Sequence, residues 1–178
     1  MIRDATFVEK LKLLKEHQQN NESHSLRCEF LLRLQMAQSM ASCNKLYFPH
    51  NMDFRGRVYP IPPHLNHMGA DLNRGILEFS EAKRLGEKGL WWLKIHLANK
   101  IGKDKLPLND RALYAESIID TVHKCADDPK NNLEWLQSDN PWQTLACMCE
   151  LSAAMRLPNP EDYMCHLHVH VDGSCNGM

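Results

Sequence analysis

The sequence lacks the features that mark several protein classes. No apolar run is long enough to cross a bilayer, and the seven cysteines form no Cys-x-x-Cys pair. Nine prolines and eight glycines in 178 residues show no repeating period. We therefore expect no membrane partner, no disulfide framework and no fibrous structure. A hydrophobic content of 43% is enough to bury a core, which predicts a globular, reduced protein.

A targeting peptide is also not recognisable in the first residues. Met1–Gln19 mixes acidic residues with lysines and has no continuous apolar segment. The sequence stops at Met178 directly after a glycine-rich turn, where a folded domain normally continues. We therefore expect a partial chain.

Net charge is close to balanced, but the charges are unevenly distributed. The formal net charge of −1 argues against a wholly basic nucleic-acid coat. Residues 83–105 hold seven basic and two acidic residues, whereas residues 109–139 hold three basic and seven acidic ones. This segregation favours a surface suited to polyanions, and two ordinary solvated helix faces of opposite sign explain it equally well.

Helical periodicity dominates the rest of the chain. Near the start, it predicts two amphipathic helices with core-facing stripes, separated by the polar residues 18–25. Further predicted helices span Gly86 to Gly102, Asp110 to Ala126, and Asn140-Pro141 to about Met155. The inward residues are expected to be Phe7, Leu11, Leu14, Leu26, Phe30, Leu34, Ala37, Ala41, Leu90, Leu93, Leu97, Ile101, Leu113, Ile118, Ile119 and Val122, with Lys94, Trp91 and Ala98 on the other side of their helix.

Four prolines between Tyr47 and His67 exclude a helix there and predict an irregular, extended crossing. Within it, Arg55 and Arg57 are two residues apart, so in an extended segment both guanidinium groups point the same way and match phosphate oxygens. Gly56 admits a close backbone, Asp53 is placed to brace an arginine, and Phe54 or Tyr59 is placed to stack. A structural Asp–Arg pair is the alternative interpretation.

The alternation from Cys165 to Val171 predicts a strand that delivers Asp172 into a flexible turn. The Asp172 carboxylate and the Gly173 carbonyl are suitable ligands for a hard divalent cation. Asp172 as a simple turn cap is the alternative.

Zinc is a further hypothesis for this part of the chain. Residues two apart on a strand lie about 6.6 Å apart, so at most two of the three histidines can share one ion. Two cysteines two apart on a helix do not face each other either. The residues concerned are His166, His168, His170, Cys147 and Cys149.

Four segments together resemble motifs of the single-subunit, bacteriophage-type DNA-directed RNA polymerases, particularly the mitochondrial branch. The segments occur in family order and extend the resemblance from about Arg27 to Gly177. They are Asn51–Tyr59, Trp92–His96, Pro141–Ala146 and Asp172–Gly177.

The resemblance implies a predominantly helical α+β fragment of a polymerase core that ends at the first strand of the palm sheet. It implies residues 1–46 as a helical lead-in, 47–67 as the motif loop, 68–163 as a helical region and 164–178 as the palm strand and first catalytic motif. In this family the matching aspartate is catalytic, and with the next carbonyl it binds the two Mg²⁺ ions of nucleotidyl transfer. The implied site residues are Asp172 and Gly173 for catalysis and metal, and Asp53, Arg55, Gly56, Arg57 and Lys94 for nucleic acid.

The implied partners are the DNA template, the RNA product, ribonucleoside triphosphates and mitochondrial transcription factors, in the mitochondrial matrix. Two-metal transfer needs more carboxylates than Asp172 alone, so we expect the isolated chain not to polymerise. A non-catalytic fragment that binds the nucleic-acid backbone is the alternative function.

Overall fold

The computed structural model describes residues 7–169, and helices make up most of that part. The predicted class, α+β with helix predominating, is confirmed. In chain order the elements are α1 (Phe7–Met40), β1 (His50–Met52), β2 (Val58–Pro60), α2 (Asp71–Ile76), β3 (Lys83–Arg84), α3 (Gly86–Lys100), α4 (Leu108–Ser117), α5 (Ile119–Asp127), a 3-10 helix (Glu134–Gln137), α6 (Pro141–Met155), a 3-10 helix (Pro160–Asp162) and β4 (Met164–Cys165).

The N-terminal region forms one helix, α1, so the prediction of two helices was wrong. The polar residues 18–25 contain no proline or glycine to end a helix, and Gln18 donates to Glu22 across one turn at 2.9 Å. The core-facing stripe was also partly wrong, because Leu26 is 66% exposed. Phe30 is half-buried and lies against Trp142, with ring centroids 6.0 Å apart.

The hydrophobic core forms where α3, α5 and α6 pack together. Leu93 and Leu97 of α3 are buried, as the sequence predicts, beside Val122 of α5 and Leu151 of α6. Ala98, expected on the outer side of α3, is fully buried. That prediction failed because α4 packs on α3, where Arg111 donates to Asn99 at 2.9 Å.

A single helix from Asp110 to Ala126 was also predicted, but the structure divides it at Ile118 into α4 and α5. The Ser117 hydroxyl donates to the Tyr114 carbonyl at 2.7 Å, a side-chain bond that competes with helical backbone bonding at the break. Leu113, predicted to point inward, is 61% exposed, whereas Val122 is buried as predicted.

Helix α6 begins at the predicted Asn140-Pro141 pair, but Asn140 makes no side-chain cap. The carboxylate of Asp71 in α2 takes that role, accepting from the backbone N–H of Trp142 at 2.8 Å and of Gln143 at 3.2 Å. Close packing accompanies the bond, because a Cβ on Gly75 would lie 2.8 Å from the Trp142 backbone. Helix α2 is thereby fixed to the start of α6.

The predicted strand from Cys165 is shorter in the structure. Antiparallel pairing between β3 and β4 joins Lys83 to Cys165 and Arg84 to Met164. Pairing ends at Lys83 and Cys165, because the chain before Lys83 does not continue the ladder opposite His166. One further backbone bond, from Phe79 N–H to the His166 carbonyl at 3.0 Å, holds the next residue. Among residues 7–169, every helix is too short or too polar to span a bilayer.

Candidate nucleic-acid interface

The motif segment folds as a tight β-hairpin. Strands β1 and β2 pair antiparallel, with Met52 opposite Val58. Asp53 N–H donates to the Arg57 carbonyl at 2.9 Å, and Gly56 N–H donates to the Asp53 carbonyl at 3.0 Å. Gly56 has φ +77°, the left-handed conformation that completes a three-residue hairpin loop. The sequence predicted an irregular crossing here and did not predict the hairpin.

Asp53 stabilises this turn through the backbone and not through an arginine side chain. Its Oδ1 accepts from Arg55 N–H at 2.8 Å and from Arg57 N–H at 2.9 Å. An aspartate that bonds two following N–H groups fixes the local chain direction. The carboxylate therefore holds the hairpin loop in shape.

The two arginines do not lie in one extended segment. Arg55 is in the turn, with its guanidinium carbon 5.4 Å from the Phe54 ring centroid, whereas Arg57 directly precedes β2. The extended segment on which the predicted alignment depended is therefore wrong, and a joint phosphate contact by the two guanidinium groups stays a prediction. Both side chains are exposed, and neither takes part in an ion pair within residues 7–169.

The tip of the hairpin combines exposed aromatic and basic groups. Phe54 is 93% exposed, with the Arg55 guanidinium over its ring. No heavy atom of residues 7–169 lies within 4 Å of a Cβ built on Gly56, so the space beside this residue is open. The positive φ, and not close packing, therefore explains why glycine occupies the position. A planar ring beside unpaired cations suits both the bases and the phosphates of a nucleic acid.

Aromatic contacts connect the hairpin to the chain that follows it. The His50 and His67 ring centroids are 5.2 Å apart, and Phe48 lies 5.8 Å from His67. Burial, with a smaller effect of His50, lowers the pKa of His67. Sequence reasoning missed this cluster, because its members are separated by irregular chain that carries no periodic signal.

Lys94 lies between α3 and α4. Its ammonium group pairs with Glu116 Oε1 at 2.6 Å, and its side chain is only 14% exposed. This ion pair therefore joins the basic segment, residues 83–105, to the acidic segment, residues 109–139. A nucleic-acid contact by Lys94 stays a prediction.

The proposed metal ligands Asp172 and Gly173 lie outside the described residues, as does His170. The chain leading to them is anchored at His166, whose Nδ1 lies 2.6 Å from the Phe79 carbonyl oxygen and whose N–H donates to Glu150 at 3.4 Å. Within residues 7–169, no group of three His, Cys, Asp or Glu residues is placed to hold a metal.

The two cysteines of the zinc hypothesis occupy different environments. Cys147 is buried and Cys149 is exposed. Burial raises the pKa of Cys147 far above its usual range, which disfavours the thiolate that zinc requires.

Comparison with known proteins decides the family. The family model for DNA-dependent RNA polymerase matches residues 83–178, more than half of the chain. This chain belongs to that family.

Several mitochondrial polymerases are similar to it over most of its length. DNA-directed RNA polymerase 2, chloroplastic/mitochondrial, of Arabidopsis thaliana is 49% identical over 162 residues, which is 89% of this chain and 16% of the relative. The mitochondrial DNA-directed RNA polymerases of Neurospora crassa and Homo sapiens are each 49% identical, over 87% and 88% of this chain. The chain spans 11% and 13% of those two relatives.

The polymerase match includes each part of the candidate site. The family model covers Lys94 and Asp172, while the hairpin precedes its first matched residue. Each alignment with the three relatives covers at least 87% of the chain and therefore includes the hairpin. The predicted resemblance to mitochondrial RNA polymerases is confirmed.

Proposed function

We propose that this chain is part of a mitochondrial DNA-directed RNA polymerase that synthesises RNA on a DNA template from ribonucleoside triphosphates. The supporting observation is 49% identity to mitochondrial polymerases across most of the chain. The proposed partners are the template, the RNA product and mitochondrial transcription factors, and the proposed location is the mitochondrion.

The hairpin is proposed to contact nucleic acid near the reaction centre. Arg55 and Arg57 supply cations for phosphate oxygens, and Asp53 and Gly56 maintain the turn that presents them. Phe54 supplies an exposed ring. Lys94 is proposed to assist. Unlike the two arginines, its ammonium group already has a carboxylate partner, Glu116.

Asp172 and the carbonyl of Gly173 are proposed to hold the two Mg²⁺ ions of the complete polymerase. Carboxylate and carbonyl oxygens are the donors that Mg²⁺ prefers, so this donor set fits the ion. When bound, the ions activate the attacking hydroxyl and stabilise the leaving pyrophosphate. One carboxylate and one carbonyl are fewer donors than two octahedral ions require, so further ligands must come from elsewhere in the polymerase.

Asp172→Asn in the full-length polymerase tests this role. Loss of primer extension by several orders of magnitude, with template affinity within about twofold of wild type, is expected, because the change removes a metal ligand and no phosphate contact. Asp162→Asn, at an exposed carboxylate paired with Arg84, is the matched control and should extend primers normally. Normal extension by Asp172→Asn would reject the assignment.

A second candidate function is backbone binding without catalysis. The observation that favours it is the exposed hairpin, whose arginines have no ion-pair partner in the described part of the chain. Salt-dependent binding of an oligonucleotide by the 178-residue chain, with no nucleotide incorporation, is the result that this function predicts.

A further inference from the structure

Two cations without an ion-pair partner among residues 7–169 lie on α2 and α3, and both of these helices pack on α6. Arg74 lies in the last turn of α2 and Lys100 in the last turn of α3, and both are half-buried. Lys100 Nζ donates to Gln143 Oε1 at 2.7 Å. Arg74 Nε is enclosed and has no hydrogen-bond acceptor within residues 7–169. Neither side chain forms an ion pair in that range.

Asp71, the α2 carboxylate that Gln143 links to Lys100, is already engaged. Its oxygens accept from the backbone N–H groups of Trp142 and Gln143 and from Gln143 Nε2 at 3.0 Å. Its negative charge therefore lies at the positive end of the α6 dipole. Gln143 thus links Asp71 to Lys100 but gives the ammonium group only a neutral acceptor.

The hydrogen bonds of Gln143 place Lys100 beside the start of α2 at Asp71, and Arg74 lies three residues further along that helix. Burial is the main effect that lowers the pKa of Lys100; Arg74 lowers it further, whereas Cys147 and Asp71 raise it. Burial likewise lowers the pKa of His168, followed by the charges of Lys100 and Arg74 and, more weakly, His67. Holding like charges together in a half-buried place costs free energy unless an anion joins them.

We propose that Arg74 and Lys100 form a second binding site for phosphate groups of the nucleic-acid backbone, with Gln143 positioning Lys100. This inference rests on the proposed function, which supplies the nucleic acid. It assigns a contact to residues that no sequence motif singled out. The charge of a phosphodiester provides the missing counter-ion for both cations.

Salt-dependent binding by the 178-residue chain tests the site. Fluorescence anisotropy of a labelled single-stranded 20-mer is measured across a KCl series, and log affinity is plotted against log salt concentration. Lys100→Gln and Arg74→Gln should each reduce the slope by about 0.7, the value for one phosphate of a single strand. Lys124→Gln, at an exposed helical lysine in the acidic segment, is the matched control and should leave the slope unchanged.

Two further variants distinguish an effect of Lys100 on folding from an effect of its charge on binding. Lys100→Arg keeps the cation and should retain the wild-type slope. Lys100→Met removes a charge whose partial burial is unfavourable, and it should raise the Tm of the unbound chain while losing the phosphate contact. A Lys100→Met chain that melts lower and binds with the wild-type slope would overturn the proposal.

Failure of this site and failure of the proposed function give different results. A reduced slope for Arg57→Ala with unchanged slopes for Lys100→Gln and Arg74→Gln would reject the second site and keep the hairpin contact. Absence of any salt-dependent binding by the wild-type chain would reject both. If ATP protects against thermal unfolding through Lys100 while the 20-mer slope is unaffected, the anion is a nucleotide, and the backbone assignment is wrong.

Discussion

Asp71 and Trp142 are joined by a hydrogen bond from the Trp142 backbone N–H to the Asp71 carboxylate at 2.8 Å. The two residues are 71 positions apart in sequence, and the bond caps α6 from α2. Asp71 also stands beside the Arg74–Lys100 site through Gln143. The Asp71 carboxylate therefore caps α6, a helix of the hydrophobic core, and through Gln143 it also lies beside the proposed site at Arg74 and Lys100.

Asp71→Ala should lower the free energy of unfolding by about 1–2 kcal/mol, the usual loss for an N-terminal cap. Urea unfolding followed by circular dichroism measures it. Asp120→Ala is the control. Asp120 is exposed in the first turn of α5, where no side chain among residues 7–169 caps the helix, so the substitution should change stability by less than about 0.5 kcal/mol. Equal effects of the two substitutions would contradict the capping role.

Arg57→Ala should reduce the slope of log affinity against log salt by about 0.7 for a single-stranded oligonucleotide, because one phosphate contact is lost. The exposed side chain and its lack of an ion pair in the described residues make a folding effect small. Lys124→Ala serves as the control. A slope equal to that of the wild type would remove Arg57 from the interface.

Asp53→Ala and Asp53→Asn should differ in nucleic-acid affinity although both remove the same charge. Asparagine retains an oxygen that can accept from Arg55 N–H and Arg57 N–H, whereas alanine leaves the hairpin loop unsupported. Several-fold weaker binding by the alanine variant at constant salt is expected from anisotropy titrations. Identical affinities would show that the ordered loop does not contribute.

Cys147 and Cys165 should react slowly with iodoacetamide in the native chain. Burial raises the pKa of both thiols, to about 12 for Cys165, so at pH 8 the reactive thiolate is scarce. The labelling rate of Cys165 should rise about tenfold per pH unit below that value, since each unit multiplies the thiolate fraction by ten. Peptide mass spectrometry measures it, with exposed Cys43 as the reference. Rapid native labelling of Cys147 would contradict its burial.

The 178-residue chain alone should not extend a primer on a DNA template with Mg²⁺ and ribonucleoside triphosphates. The reason is chemical, since Asp172 is the only carboxylate proposed for a reaction that uses two ions. Gel analysis of labelled primer measures it, with the full-length polymerase as the positive control. Nucleotide incorporation by this chain alone would refute the proposal that further metal ligands come from elsewhere in the polymerase.

The sequence by itself determined the features that depend on near neighbours. Apolar spacing identified the buried residues Leu93 and Leu97, the Asn140-Pro141 pair marked the start of α6, and the motif segments identified the polymerase family. These signals are local, because helical periodicity and proline geometry act within a few residues. They can be recognised without knowing which helices pack together in the fold.

Tertiary structure alone decided which groups meet. The burial of Ala98 followed from the packing of α4 on α3, which periodicity does not encode. The continuity of α1 and the break at Ile118 follow instead from local side-chain bonds, which apolar periodicity also leaves out. Asp71 reached α6, Glu116 reached Lys94, and Gln143 reached Lys100 only after distant segments packed. Such charge contacts depend on distances between helices, and a linear sequence specifies those distances only through the complete fold.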